Sequence, residues 1–220
     1  MDYRMADIFD EVSEELKQDQ LIQLWKKYSK YIFSLLILIV LSISSYQGYL
    51  FWNKKKITAN SEQFFSGLEK LDSKQFQEST NIFLNSLIEQ ENGYRVLSMF
   101  GLAHSNFKNG KIPEMIINYQ SIYNDKKIGI YYQYLARMLS VMKDDNSPLD
   151  ELQERLSPIL NSPSKLELLA AELEMVLFIR FNKIEKALKS LRSLLDRNDI
   201  TSEQKNRLVL INKVYSSYAK

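Results

Sequence analysis

Twenty-one consecutive residues from Tyr31 to Phe51, YIFSLLILIVLSISSYQGYLF, carry no charged side chain, and no other stretch of the chain limits the possible folds as much. At about 1.5 Å per residue a helix of this length reaches roughly 31 Å, matching a hydrocarbon core of about 30 Å. The segment from Leu35 to Leu41, LLILIVL, is apolar on every face, unlike a soluble amphipathic helix. Lys26, Lys27 and Lys30 precede the run and Lys54, Lys55 and Lys56 follow it. Trp25, Tyr28 and Tyr31 at one end, and Tyr49 and Trp52 at the other, stand where amphipathic rings anchor at headgroup level. A cleavable signal sequence would have a short charged start and an apolar run of only about 7 to 15 residues. Here thirty largely polar residues come first. The sequence therefore predicts a single transmembrane helix over 31–51.

That span divides the chain into a tail, 1–30, and a remainder, 52–220, large enough for one domain with its own core. The tail has five Lys/Arg against seven Asp/Glu, and residues 57–220 have twenty-one against twenty. Neither balance suits a nucleic-acid binder. Within about twenty residues of the span, four basic residues lie on each side, so charge leaves orientation open. There is no cysteine, which excludes disulfides and thiolate chemistry, and His104 is the only histidine. No phosphate-binding glycine loop, metal-spaced cluster or nucleophile elbow is present. The expectation is a protein that is not an enzyme, with no cofactor, metal or small-molecule substrate. The carboxylates Glu172 and Glu174, and Asp144 and Asp145, read as solvated surface.

The tail reads as an amphipathic helix. Ile8, Val12 and Leu16 fall at four-residue steps, Leu21, Leu24, Trp25 and Tyr28 extend the stripe, and Asp7, Asp10, Glu11, Glu14 and Glu15 favour the positive helix end. Beyond the span the apolar spacing predicts helices near 58–71, 75–90, 94–109, 112–124, 128–143, 148–160, 164–181, 184–197 and 202–219. Their breaks fall at Asn92-Gly93, Asn109-Gly110, Asp144 to Pro148, Ser162-Pro163 and Asn198-Asp199. Thr201 and Gln204 are placed for a capping box.

Residues 100–123, FGLAHSNFKNGKIPEMIINYQSIY, resemble a tetratricopeptide repeat. Ala103 takes the small position, Gly110 the turn, and Ile112, Met115, Tyr119 and Ile122 the second helix. Residues 66–87 repeat the pattern with Gly67, Phe76, Ser79, Phe83 and Ser86, and residues 175–195 with Phe178, Ile184, Ala187, Leu191 and Leu194. Anchors Gly67, Ala103, Ala136 and Met175 lie 36, 33 and 39 residues apart. A degenerate unit from Ile128 to Leu160 lacks the turn glycine and has a longer turn. The expected fold is all-α: an N-terminal amphipathic helix, one transmembrane helix and a tetratricopeptide-like α-solenoid.

Two residue sets are candidates for contact with partners. Phe100, His104 and Lys108, four apart on the first helix of the clearest unit, would face a bound peptide. Inside the span, Ser44 and Gly48 form a small-xxx-small pair with Gln47 beside them, which suits lateral packing against another membrane helix.

The order of an acidic tail DIFDEVSEELKQDQLIQLWKKYSKY, a single span, a lysine cluster and tetratricopeptide-like helices resembles the ancillary SecYEG translocon subunit family, the YfgM-like proteins. The tail carries most of that likeness. The resemblance implies a bacterial inner-membrane protein with a cytoplasmic N-terminus and a periplasmic solenoid. It also implies protein partners near the export channel: translocon subunits, periplasmic chaperones or exported chains. The function expected is a membrane-tethered adaptor. The alternative is a membrane-anchored regulator or stability factor whose cytoplasmic tail engages a signalling partner.

Overall fold

No proline occurs before Pro113, so nothing forces the first helix to break. The computed structural model describes residues 3–89 and 93–216, with side chains from Leu21 onward except at 88 and 89. In it α1 runs unbroken through Tyr3–Asp72. The sequence predicts separate tail, span and 58–71 helices. They are one helix, because a lone Gly48 costs a helix only about 1 kcal/mol relative to alanine. The tail stripe of Ile8, Val12 and Leu16 falls on side chains outside the described set, as do Asn92 and residues 217–219.

Eight further helices follow: α2 Phe76–Glu89, α3 Gly93–Lys108, α4 Ile112–Asn124, α5 Ile130–Met142, α6 Leu149–Leu160, α7 Glu167–Arg180, α8 Ile184–Leu195 and α9 Ser202–Tyr215. Among the described residues there is no strand, so the fold is all-α. The chain forms two compact units, Met1–Ala59 and Asn60–Lys220.

In the first unit every side chain from Tyr31 to Trp52 is exposed. A soluble core helix would bury part of this run, whereas none of it is covered. α1 is therefore long and apolar enough to cross a membrane, and among the described residues its apolar run is uncovered.

In the second unit each helix packs on the next, and α5 also touches α7. Three apolar clusters result. Met99, Ala103, Met115, Tyr119, Ile122 and Ala136 belong to the first. The second joins Val141, Leu152, Leu156, Ile159, Ala170 and Leu177, and the third joins Met175, Leu188, Leu191, Leu194 and Leu208. Small residues permit this close approach. Gly67 and Gly101 flank the fully buried Phe83 ring so tightly that a Cβ at either would lie 2.7 Å or 2.6 Å from it. Ser79 Oγ locks the same corner, donating to the Gly67 carbonyl at 2.8 Å and lying 2.8 Å from Ser105 Oγ.

The helix reversals recur. Lys74, Gly110 and Asn182 have φ of 60°, 75° and 56°, the second 36 residues and the third 108 residues after the first. Around each, the same backbone bonds form. Lys74 N–H donates to Leu71 and Gln75 N–H to Lys70, Gly110 to Phe107 and Lys111 to Asn106, and Asn182 to Ile179 and Lys183 to Phe178. This double bond pattern with a left-handed residue is a Schellman-type stop, which satisfies carbonyls that a helix end leaves open. Buried side chains on the second helices keep the same step. Ser79, Phe83 and Ser86 on α2 are matched 36 residues later by Met115, Tyr119 and Ile122 on α4. Leu152, Leu156 and Ile159 on α6 come 37 residues after those, and Ala187, Leu191 and Leu194 on α8 come 35 residues later again.

The α5–α6 connection differs. It takes six residues rather than three and has no left-handed residue. Asp144, expected at the surface, is fully buried there. Its Oδ1 accepts from the backbone N–H groups of Asn146 and Ser147, both at 3.0 Å, and its Oδ2 pairs with Arg155 at 2.8 Å. Arg155 also reaches Ser147 Oγ and Glu151. The carboxylate does what a turn glycine does elsewhere, by binding loop amides rather than by relieving φ. Glu172 is also largely buried, paired with Arg207, and Glu174 accepts from Gln153 at 2.8 Å. Of the four carboxylates expected in solvent, Asp145 is the one that stands well exposed, and it pairs with Arg180. At the last helix the Thr201–Gln204 capping box forms in both directions.

Candidate functional site

α3 turns one stripe toward α5. Leu97, Phe100, His104 and Lys108 are spaced three to four apart, so they share a face. On α5, Tyr132, Leu135 and Leu139 form a like stripe that ends at Lys143, the residue capping that helix. The two stripes meet at both ends. The Phe100 ring lies 6.5 Å from Tyr132 and 6.1 Å from Tyr119 of α4. Lys143 Nζ sits 4.1 Å from the centroid of Phe107, whose ring is 6.3 Å from His104.

Of the three residues singled out by sequence, His104 is half-buried, Lys108 is exposed, and Phe100 spends much of its ring on the core cluster beneath. Lys143, which the sequence reading passed over, completes the group. It stands 35 residues after Lys108, close to the recurrence of the helices themselves, and that spacing was the available signal.

Electrostatics distinguish this face. Burial, then Lys143 and Lys108, hold the His104 imidazole below its ordinary value, so it is neutral near pH 7. Burial and then Lys108 depress Lys143 as well. No ion pair forms at His104, Lys108 or Lys143 among the described residues. The carboxylates that follow Lys143 in the chain, Asp144 and Asp145, are taken by Arg155 and Arg180. Beneath the face, burial pushes the Tyr119 hydroxyl up to about 12.

A cleft of about 630 Å³ lies elsewhere, between the α6–α7 and α8–α9 connections, and includes Leu168, Arg197 and Gln204. Arg197 is already committed there. It forms a two-pronged pair with Glu167 at 2.9 and 2.8 Å and bonds Asp199 at 2.8 Å, so its guanidinium offers a ligand little free charge. Among the described residues no group of three or more His, Asp or Glu is placed to hold a metal ion.

On the apolar run of α1, Ser44, Gln47 and Gly48 are exposed, and a Cβ at Gly48 would meet nothing within 4 Å. Ser42 donates its hydroxyl to the Leu38 carbonyl at 2.8 Å, an internal satisfaction that lets a serine sit in an apolar helix.

No protein-family model matches this chain, and neither the curated proteins nor the solved structures contain a match.

Proposed function

We propose that this chain is a membrane-tethered, non-enzymatic adaptor of the protein-export translocon. In this reading α1 crosses the bacterial inner membrane once, the tail is cytoplasmic, and the second unit lies in the periplasm. There it binds chaperones or emerging chains through a tetratricopeptide-like solenoid. The observation that carries it is one chain combining an uncovered apolar run with helical hairpins whose second-helix core positions return at steps of 35 to 37 residues. Such arrays present extended faces to partners rather than enclosed pockets. Tethering raises the local concentration of a weak face at the membrane, so modest affinity suffices. The likeness of the tail to the YfgM-like proteins supports the orientation and the choice of partner.

Protease digestion of intact spheroplasts tests the topology: the second unit is expected to be cut, and its protection would end the adaptor reading. A photo-crosslinker at Ser44 or Gly48 tests the partner. Adducts with translocon subunits are expected. Adducts confined to a crosslinker at Trp25 would favour a regulator acting through the tail.

A further inference from the structure

We propose that His104, Lys108 and Lys143 together receive the carboxylates of an acidic polypeptide segment, whose apolar residues lie along Leu97 and Leu135. This rests on the reading of the α3–α5 face as a partner-binding surface and specifies the chemistry of the partner.

Three observations carry it. Lys143 from the end of α5 and His104 from α3 converge on the Phe107 ring, Lys108 is near enough to act on both, and no ion pair engages any of the three among the described residues. Like charges gathered without a counterion are unfavourable, and an incoming carboxylate relieves that repulsion while taking charge-assisted hydrogen bonds. The cations also lie at one end of the face only. Leu97 and Leu135, both exposed, sit two turns or more toward the other end. From Leu97 to Lys108 is roughly 16 Å along the helix, about the length of five extended residues. A fluid lipid surface has no such order of apolar and anionic groups along a line. A peptide with apolar residues followed by acidic ones does.

His104 adds a readout that packing alone would not give. The charges acting on it are Lys143, capping α5, and Lys108, ending α3. Lys111, opening α4, is engaged with Gln77 at 3.0 Å. A carboxylate held between the two lysines offsets their share of the depression, the part beyond burial, and so favours the protonated imidazole. Binding therefore strengthens as pH falls into the range where the imidazole protonates.

The test uses the full-length chain in nanodiscs of neutral lipid, with a fluorescent peptide of leucines and phenylalanine followed by glutamates. The same peptide with glutamine for glutamate serves as control. The glutamate peptide is expected to bind about a hundredfold tighter, and Lys143→Gln or Lys108→Gln to remove about tenfold each, the worth of one charge-assisted hydrogen bond. His104→Gln is expected to flatten the pH dependence. Circular dichroism checks that these variants remain folded. Equal affinity for the two peptides, or binding indifferent to both lysine variants, overturns the proposal. So does lysine-dependent flotation on anionic vesicles without peptide discrimination, which would assign the cluster to lipid. Any of these results, with crosslinks from Ser44 to translocon subunits retained, sinks the acidic-peptide site and leaves the adaptor reading standing. Loss of those crosslinks with peptide discrimination intact does the reverse.

Discussion

The α3–α4 turn reverses the chain in three residues with a glycine in the left-handed region, whereas the α5–α6 connection takes six residues and a buried carboxylate. Both lead to second helices that bury the same three positions, Met115, Tyr119 and Ile122 in one and Leu152, Leu156 and Ile159 in the other. What is held constant is the packing of the second helix. The turn is free to differ so long as the helix-end carbonyls and loop amides find partners. The first solution stores its cost in backbone conformation and the second in desolvation of an ion pair.

The comparison breaks most sharply at Asp144. Asp144→Ala leaves the Arg155 guanidinium buried without its innermost partner and is expected to cost about 3–5 kcal/mol in chemical denaturation, against a much smaller loss when both residues become apolar. The same carboxylate sets an acid limit. Burial alone would raise its pKa, but the Ser147 hydroxyl, Arg155 and the loop amides outweigh this and hold it below the ordinary aspartate value. A lowered carboxylate pKa adds stability above the unfolded value of about 3.9, and that stability is lost as pH falls through the folded one. Denaturation midpoints followed below pH of about 4 should therefore decline in the native sequence through a contribution that Asp144→Ala lacks.

Gly101→Ala probes the tightly packed corner before the first turn. Its Cβ would meet the Phe83 ring, which Gly67 closes from another side, so a loss of about 1–3 kcal/mol is expected in the same assay. Smaller effects sharpen the contrast between turns. Gly110→Ala should cost about 1 kcal/mol, and Lys74→Gly should gain a comparable amount, since both concern a residue at positive φ. Asn146→Gly, at the position 36 residues beyond Gly110, should bring no such gain, because the α5–α6 loop has no left-handed residue to relieve.

Much of this was legible in the sequence wherever a side chain's neighbours lie within a turn or two. The apolar run from Tyr31, the second-helix positions Phe83, Tyr119 and Leu191, the turn glycine Gly110 and the Thr201 capping box all follow from local spacing. Asp144 did not, because its burial depends on Arg155 arriving from the next helix. The continuity of α1 was missed because a change from apolar to charged residues looks like a boundary, although nothing in the backbone requires one. At the candidate face, His104 and Lys108 share one helix and could be read together. Lys143 reaches them only because α4, packed on both α3 and α5, sets the end of α5 against Phe107.

The slip from 36 to 37 residues at α6, followed by 35 at α8, has a consequence for how such a chain can change length. One residue gained ahead of α6 is matched by one lost before α8, so an insertion and its compensating deletion are absorbed across two successive hairpins. Homologues should therefore vary in length at the α5–α6 loop and recover alignment by α8, while the three-residue stops at Lys74, Gly110 and Asn182 tolerate no insertion.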